Sequence, residues 1–367
     1  MRGLPPLVIP LLAALLCAAP GCSERNKGKY AKSIRRADTE RRDRMGAAAA
    51  FEQAKQRFVA GDLTEAMQQI DFSLQSDPEA VESLVLKAQI TLEASDSEEQ
   101  MRAVTARGLE TDPKEARFPY YLGLFYERHN NAPAALREYL RAAELNDDMV
   151  QYKIAAGEMM LETGDHARAE RYLSDARRKH PQNPGIPQTL GHLAQMRQDY
   201  PAARKYFTEA LLLSPDSPPL QEDLAVAEFR LGDYANAGNS LEKLLARREN
   251  AARDDLRLML AQCYLNTSRP VPARALLKKL LANPANDKYE LWNMQMEAAL
   301  LLRDRKVLRD AAMKMITMRP QAEDGYIALA RYWDMSGSRA DAVAALDRCP
   351  VKPPSQLLRT YREQLAR

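Results

Sequence analysis

Sliding one stretch of this chain along itself by 34 positions, three times in succession, lays like residues on like. Leu122-Gly123, Tyr126, Ala135, Tyr139 and Ala142 become Ala156-Gly157, Met160, Ala169, Leu173 and Ala176. The next shift gives Leu190-Gly191, Ala194, Ala203, Phe207 and Ala210, and the third gives Leu224-Ala225, Ala237, Leu241 and Leu244. A unit this short cannot enclose a core, so each copy must bury its apolar face against the next one. Small residues such as Gly157, Gly191, Ala169 and Ala203 permit close approach of two helices, and Tyr139 and Phe207 fill the adjoining space. Gly164-Asp165 and Gly232-Asp233 break one helix and cap the next. Pro181 and Pro215 end the second helix of a unit. Aromatic residues make up only 7% of the chain, and the abundant Ala and Leu lose little freedom in helices.

Weaker copies extend the array in both directions. Gly61-Asp62, Ala66, Ile70 and Asp77-Pro78 mark a first unit. A second, without a clear glycine turn, ends at Asp112-Pro113. After the middle four, Leu260-Ala261, Tyr264, Ala273, Leu277 and Leu280 form a seventh following a short insertion. Trp292, Ala299, Leu308, Ala312 and Pro320 form an eighth, and Tyr326, Leu329-Ala330, Trp333, Gly337, Ala342 and Leu346 a ninth. The pattern resembles the tetratricopeptide repeat, a helix A, turn, helix B unit. The resemblance implies an all-α, right-handed α-α superhelix of about nine helix-turn-helix repeats over residues 47–350. Residues 351–367 are expected to form a capping helix that covers the exposed end of the solenoid.

Residues 1–21 read as a signal peptide: Arg2 is a minimal positive start, Leu4–Ala19 an apolar run, and small residues follow. That run is too short to span a bilayer comfortably. Gly21-Cys22 resembles the cleavage point of bacterial lipoproteins, which implies lipidation of Cys22 and attachment to the membrane. Ala19 stands where such sites usually carry Leu, and Pro20 is unusual beside it, so ordinary cleavage nearby is the alternative. Ser23, in place of Asp, implies sorting to the outer membrane, facing the periplasm; a soluble periplasmic protein is the other option. Residues 22–46 read as a basic tether, with nine Lys or Arg against four acids over 23–44. It is either a solvated spacer or a stretch resting on anionic headgroups.

The formal net charge is +3, and with the basic tether set aside the body is slightly acidic. Nucleic acid, which needs a clustered basic face, is therefore not an expected partner. Cys17 and Cys22 lie in the leader, and Cys263 and Cys349 are far apart, which predicts two buried thiols rather than a disulfide framework. No phosphate-binding loop, helix-borne His pair or nucleophile elbow is present in the sequence. His129 and His166 fall near turns, His180 at a helix end and His192 on a helix A face, without a catalytic or metal-binding constellation. No cofactor, metal, catalytic residue or small-molecule substrate is expected, and the chain does not read as an enzyme.

In the repeat family, helix A lines a concave groove that receives peptides or helices of other proteins. That resemblance implies groove positions at Arg117, Tyr120, Leu124, Glu127, Ile154, Glu158, Gln188, His192, Gln195, Glu222, Val226 and Phe229. Family members that grip a C-terminal carboxylate use Lys, Arg and Asn, whereas the comparable places here hold Tyr120, Leu124, Ile154 and Glu158. The expected function is a protein-interaction scaffold, lipid-anchored in the bacterial envelope and serving a pilus, secretion or polysaccharide-export complex. The alternative is a non-catalytic accessory or regulatory subunit of an enzyme acting on envelope polysaccharide or peptidoglycan.

Overall fold

The computed structural model describes residues 23–250 and 252–366. The leader and Cys22 lie outside the described residues. The described residues form two compact units, divided between Tyr152 and Lys153. Among the described residues there is no strand, and the helices pair as nine antiparallel hairpins followed by one further helix.

The first unit holds α1 (Ser23–Val59), α2 (Leu63–Ser76), α3 (Val81–Ala94), α4 (Glu98–Thr111), α5 (Arg117–Arg128) and α6 (Ala132–Leu145). Each helix packs on the next, and α3 also packs on α5, so alternate helices form one layer. The tether expected over 22–46 is not set apart by any break, because α1 runs through it into the first hairpin. No proline occurs between Pro20 and Pro78, so nothing in this stretch obliges the helix to stop. Among the described side chains of α1, Ala47, Ala50 and Ala54 are the buried ones. There α1 meets Ala66 and Ile70 of α2 and Leu86 and Ile90 of α3 in one apolar cluster.

The second unit takes in α7 (Val150–Glu162) from Lys153 onward, then α8 (His166–Lys179), α9 (Gly185–Met196), α10 (Tyr200–Leu213), α11 (Pro218–Leu231) and α12 (Tyr234–Leu245). It continues through α13 (Asp254–Asn266), α14 (Pro270–Leu281), α15 (Tyr289–Leu302), α16 (Arg305–Met318), α17 (Glu323–Met335), α18 (Arg339–Asp347) and α19 (Gln356–Ala366). The insertion before the seventh hairpin is a short 3-10 turn, Arg248–Asn250. Buried Asn250 holds it by donating from Nδ2 to the Leu244 carbonyl at 3.1 Å. The capping helix α19 packs on α17 and α18, burying Leu358 and Leu365 beside Tyr326, Leu346 and Cys349.

One device, a left-handed residue ahead of the second helix, recurs at the turn inside eight of the nine hairpins. Gly61, Gly164 and Gly232 adopt φ near +80° and are followed by Asp62, Asp165 and Asp233. Each of these aspartates accepts the backbone N–H three residues on, at 3.2, 3.3 and 3.4 Å. Such a cap satisfies a donor that the first turn of a helix otherwise leaves unpaired. Asn130, Gln198, Ser268 and Arg303 hold the same left-handed place without being glycine. The turn between α3 and α4, where no glycine signal was present, has no positive φ and is capped by Ser97 instead.

The packing follows from the small-to-bulky spacing. Leu173, Phe207, Leu241 and Leu277 are fully buried. Each is worth about 1.5–3 kcal/mol of transfer free energy. A Cβ added to Gly157 would lie 2.5 Å from Leu173 Cδ2, and one added to Gly123 would lie 2.5 Å from Tyr139 Cε1. Helix A and helix B of these hairpins therefore touch at a distance only glycine allows. Cys263 and Cys349 are free and buried. Burial pushes the Cys263 thiol up to about 12, which makes it an inert core residue.

Candidate protein-binding groove

The twelve expected groove residues all sit on helix A of their hairpins, and none is fully buried. Spacings of three and four bring them to one face of each helix. In the first unit this face belongs to α5 and begins with Arg117. Its guanidinium reaches Glu115 Oε2 at 2.7 Å and Glu82 Oε1, on α3, at 2.6 Å. Those hydrogen bonds, the Glu115 one first, raise the arginine's affinity for its proton and lower that of both carboxyls. The pair ties one helix A to the next at the edge of the face.

Beyond it lies a group of tyrosines. The Tyr120 ring centroid is 4.7 Å from that of Tyr152, 5.7 Å from Tyr139 and 5.8 Å from Tyr121. Its hydroxyl accepts from Gln151 Nε2, and that of Tyr121 accepts from Gln89 Nε2. Buried Tyr139 donates to Glu127. Leu124, one turn on from Tyr120 along α5, is half-exposed. The result is a rigid aromatic surface whose polar tips are already held in place, a combination suited to protein contacts because little freedom remains to be lost.

In the second unit, Ile154 and Glu158 lie on α7, and the Ile154 side chain closes over Gly185, where a Cβ would come within 2.6 Å of its Cδ1. Gln188 Nε2 donates to Asp223 Oδ2 at 2.8 Å, and His192 Nε2 lies 3.1 Å from the same oxygen. Asp223, which sequence reading passed over, thus binds α9 to α11. The His192 ring also rests against Phe207, centroids 5.3 Å apart, so its place is a packed, hydrogen-bonded one. Gln195 and Val226 are half-exposed, and Phe229 meets Tyr234 edge-on at 5.6 Å. Glu222 receives Arg253, whose guanidinium also holds Asp255, a counterpart of the Arg117 arrangement.

Further groove positions appear where the repeat offset is carried three hairpins beyond Glu222, Val226 and Phe229. It lands on Ile327, Arg331 and Asp334 of α17. With Leu300 of α15 and Leu357 and Tyr361 of α19 they line a recess of about 390 Å³. The intervening shifts of 36, 35 and 34 residues hid this correspondence, since the turn residues Gly232, Ser268, Arg303 and Gly337 are unevenly spaced. Two other recesses, of about 400 and 360 Å³, lie between successive B helices instead: one over α2, α3 and α4, the other over α10, α11 and α12.

Among the described residues no group of three His, Cys, Asp or Glu side chains is placed to hold a metal ion. No described helix is long and apolar enough to cross a membrane.

Comparison with known proteins agrees with this architecture. Two family models, both described as tetratricopeptide repeat, match residues 160–226 and 228–295, and residues 91–150 and 126–184. Cellulose synthase operon protein C of Escherichia coli (strain K12) is 27% identical over 262 residues, covering 63% of this chain. This chain spans only 21% of that relative's length. Among solved structures, PilW, described as a widely conserved type IV pilus biogenesis factor, gives a TM-score of 0.47 at 17% identity, covering 55% of this chain and 93% of that one. PilF of Pseudomonas aeruginosa gives 0.46 at 16% identity, covering 56% and 92%. Stacked hairpins of this kind are scaffolds for protein interaction, and the chain belongs to the tetratricopeptide-repeat family.

Proposed function

We propose that this protein is an adaptor of the bacterial envelope, anchored by lipid on Cys22 and holding partner proteins along its helix A faces. One observation carries the binding half of the proposal. The twelve groove side chains, aromatic, aliphatic, amide and acidic, stay at least partly open to solvent while hydrogen bonds and ring contacts hold many of them rigid. Surfaces with preordered aromatic anchors bind other proteins at small entropic cost. The anchoring half rests on the leader and Gly21-Cys22 in the sequence. Several acyl chains hold a protein firmly, each buried CH₂ adding roughly 0.8 kcal/mol. Residues 22–46, helical from Ser23 on, then serve as the tether between lipid and repeats.

Among envelope systems, polysaccharide export is supported by the name of the cellulose synthase operon relative. In that system the chain acts as a non-catalytic partner of the synthesis or export machinery. Pilus assembly and secretion are the competing assignments.

Fractionation of cells expressing the wild type and Cys22→Ala tests the anchor. The variant is expected to leave the membrane fraction, and unchanged retention would overturn the anchoring. Affinity capture with Leu124→Glu and Val226→Glu variants tests the groove. Loss of co-purified partners with an unaltered melting temperature is expected, and full retention of the partners would count against it.

A further inference from the structure

The recess between α15, α17 and α19 differs in character from the rest of the groove. Leu300, Ile327, Met335 and Leu357 form an apolar side to it, and Thr360, Gln364, Tyr361, Arg331 and Asp334 complete the lining. Leu357 is 59% exposed at its mouth. Arg331 is exposed, stands over the Tyr361 ring with Cζ 5.9 Å from the centroid, and makes no ion pair among the described residues. By contrast Arg117 and Arg253, at the groove edges elsewhere, are each saturated by two carboxylates. Asp334, three residues on along the same helix, accepts the Tyr361 hydroxyl at 3.4 Å. A guanidinium lying on an aromatic ring keeps its N–H edge available for bidentate pairing with a carboxylate.

We infer that this recess takes an aliphatic side chain of a partner polypeptide, with an acidic side chain of the same segment bound to Arg331. The apolar side formed by Leu300, Ile327, Met335 and Leu357 gives a leucine-sized group a place against it, and the guanidinium at the rim selects the carboxylate beside it. Helix α19 is thus more than a cover for the last hairpin: with Leu357 and Tyr361 it supplies one wall of the site. The inference rests on the protein-binding reading of the groove and names the partner chemistry for one end of it.

The test is an NMR titration of the full chain with three probes: N-acetyl-leucyl-aspartyl amide, its asparaginyl counterpart, and N-acetyl-glycyl-aspartyl amide. Side-chain signals of Arg331 and Leu357 are followed. Saturable binding of the first probe is expected, up to about tenfold tighter than the asparaginyl probe, which loses a charge-assisted hydrogen bond, and about tenfold tighter than the glycyl probe, which loses the side chain packed in the recess. Arg331→Gln should erase the preference for aspartyl over asparaginyl while leaving residual binding. Asp334→Asn should tighten the aspartyl probe by removing a like charge, and Leu357→Glu should weaken all binding. Equal affinity for the aspartyl and asparaginyl probes, or no saturable shift at all, would overturn the inference. A chain that still captures partners through Leu124 and Val226 but fails this titration loses only the recess.

Discussion

The ring of Phe207 fills the space where a Cβ on Gly191 would stand, its Cε1 only 2.5 Å from that point. The two residues are 16 apart, one on helix A and one on helix B of the same hairpin, as are Gly123 and Tyr139, and Gly157 and Leu173. This small-against-bulky contact sets the separation of the two helices in each of these hairpins.

Enlarging the small partner should therefore destabilise. Gly157→Leu and Ala203→Leu are each expected to cost roughly 1–3 kcal/mol by overpacking. Gly191→Ala should also lose stability, although the same change in an open helix would gain about 0.5–1 kcal/mol. Denaturant melts check this. Midpoints equal to the wild type would mean that the repeat register is misassigned.

The turns make a second prediction. Gly232 sits at φ +84°, where a side chain costs roughly 1–2 kcal/mol. Gly232→Ala should lower stability by about that amount. Asp233→Ala should cost about 1 kcal/mol by removing the cap on α12. Gln198→Gly, at the matching left-handed site in the preceding hairpin, should be neutral or stabilising. Thermal unfolding of the three variants separates these outcomes, and a destabilising Gln198→Gly would contradict the turn assignment.

Much of this was legible in the sequence because it rests on residues that only one environment suits. Gly-Asp at 164–165 and 232–233 announced a left-handed residue and a cap, and both are present. The offsets of Ala169, Leu173, Phe207 and Leu241 announced a shared core, and all four are buried. Other features carried no such signature. Asn130, Gln198, Ser268 and Arg303 occupy left-handed turns because the hairpin around them imposes that conformation. The continuity of α1 through the expected tether could not be read from charge, since a basic solvated segment and a basic helix have similar composition. Asp223 was missed because its role depends on Gln188 and His192 of the preceding hairpin, 35 and 31 residues away. Arg331 was missed because the repeat lengthens by one or two residues before it.

A third prediction concerns pH. Glu228 is buried between α11 and α12, where its carboxylate accepts from Ser240 Oγ at 3.1 Å. Burial holds its pKa above the ordinary value of 4.5. The folded chain thus binds this proton more tightly than the unfolded chain does. Its contribution to stability is full below about pH 4.5 and is lost as pH rises through the raised value. Glu228→Gln, which stays neutral, should melt higher than the wild type at pH 7 and lose that advantage at pH 4. Calorimetry at the two pH values gives the comparison. An advantage for the variant that does not shrink on acidification would remove burial of the charge as its cause.

The most direct measurement of the central claim, that partners are held along the helix A faces, is site-specific photo-crosslinking in cells. A benzophenone amino acid would replace Leu124 and Val226 on helix A, and in separate chains exposed Phe72 of α2 and Lys205 of α10 on the B helices. The account predicts adducts with discrete partner proteins from the two helix A positions and none of the same mass from the B positions. Partner adducts confined to Phe72 and Lys205 would contradict it.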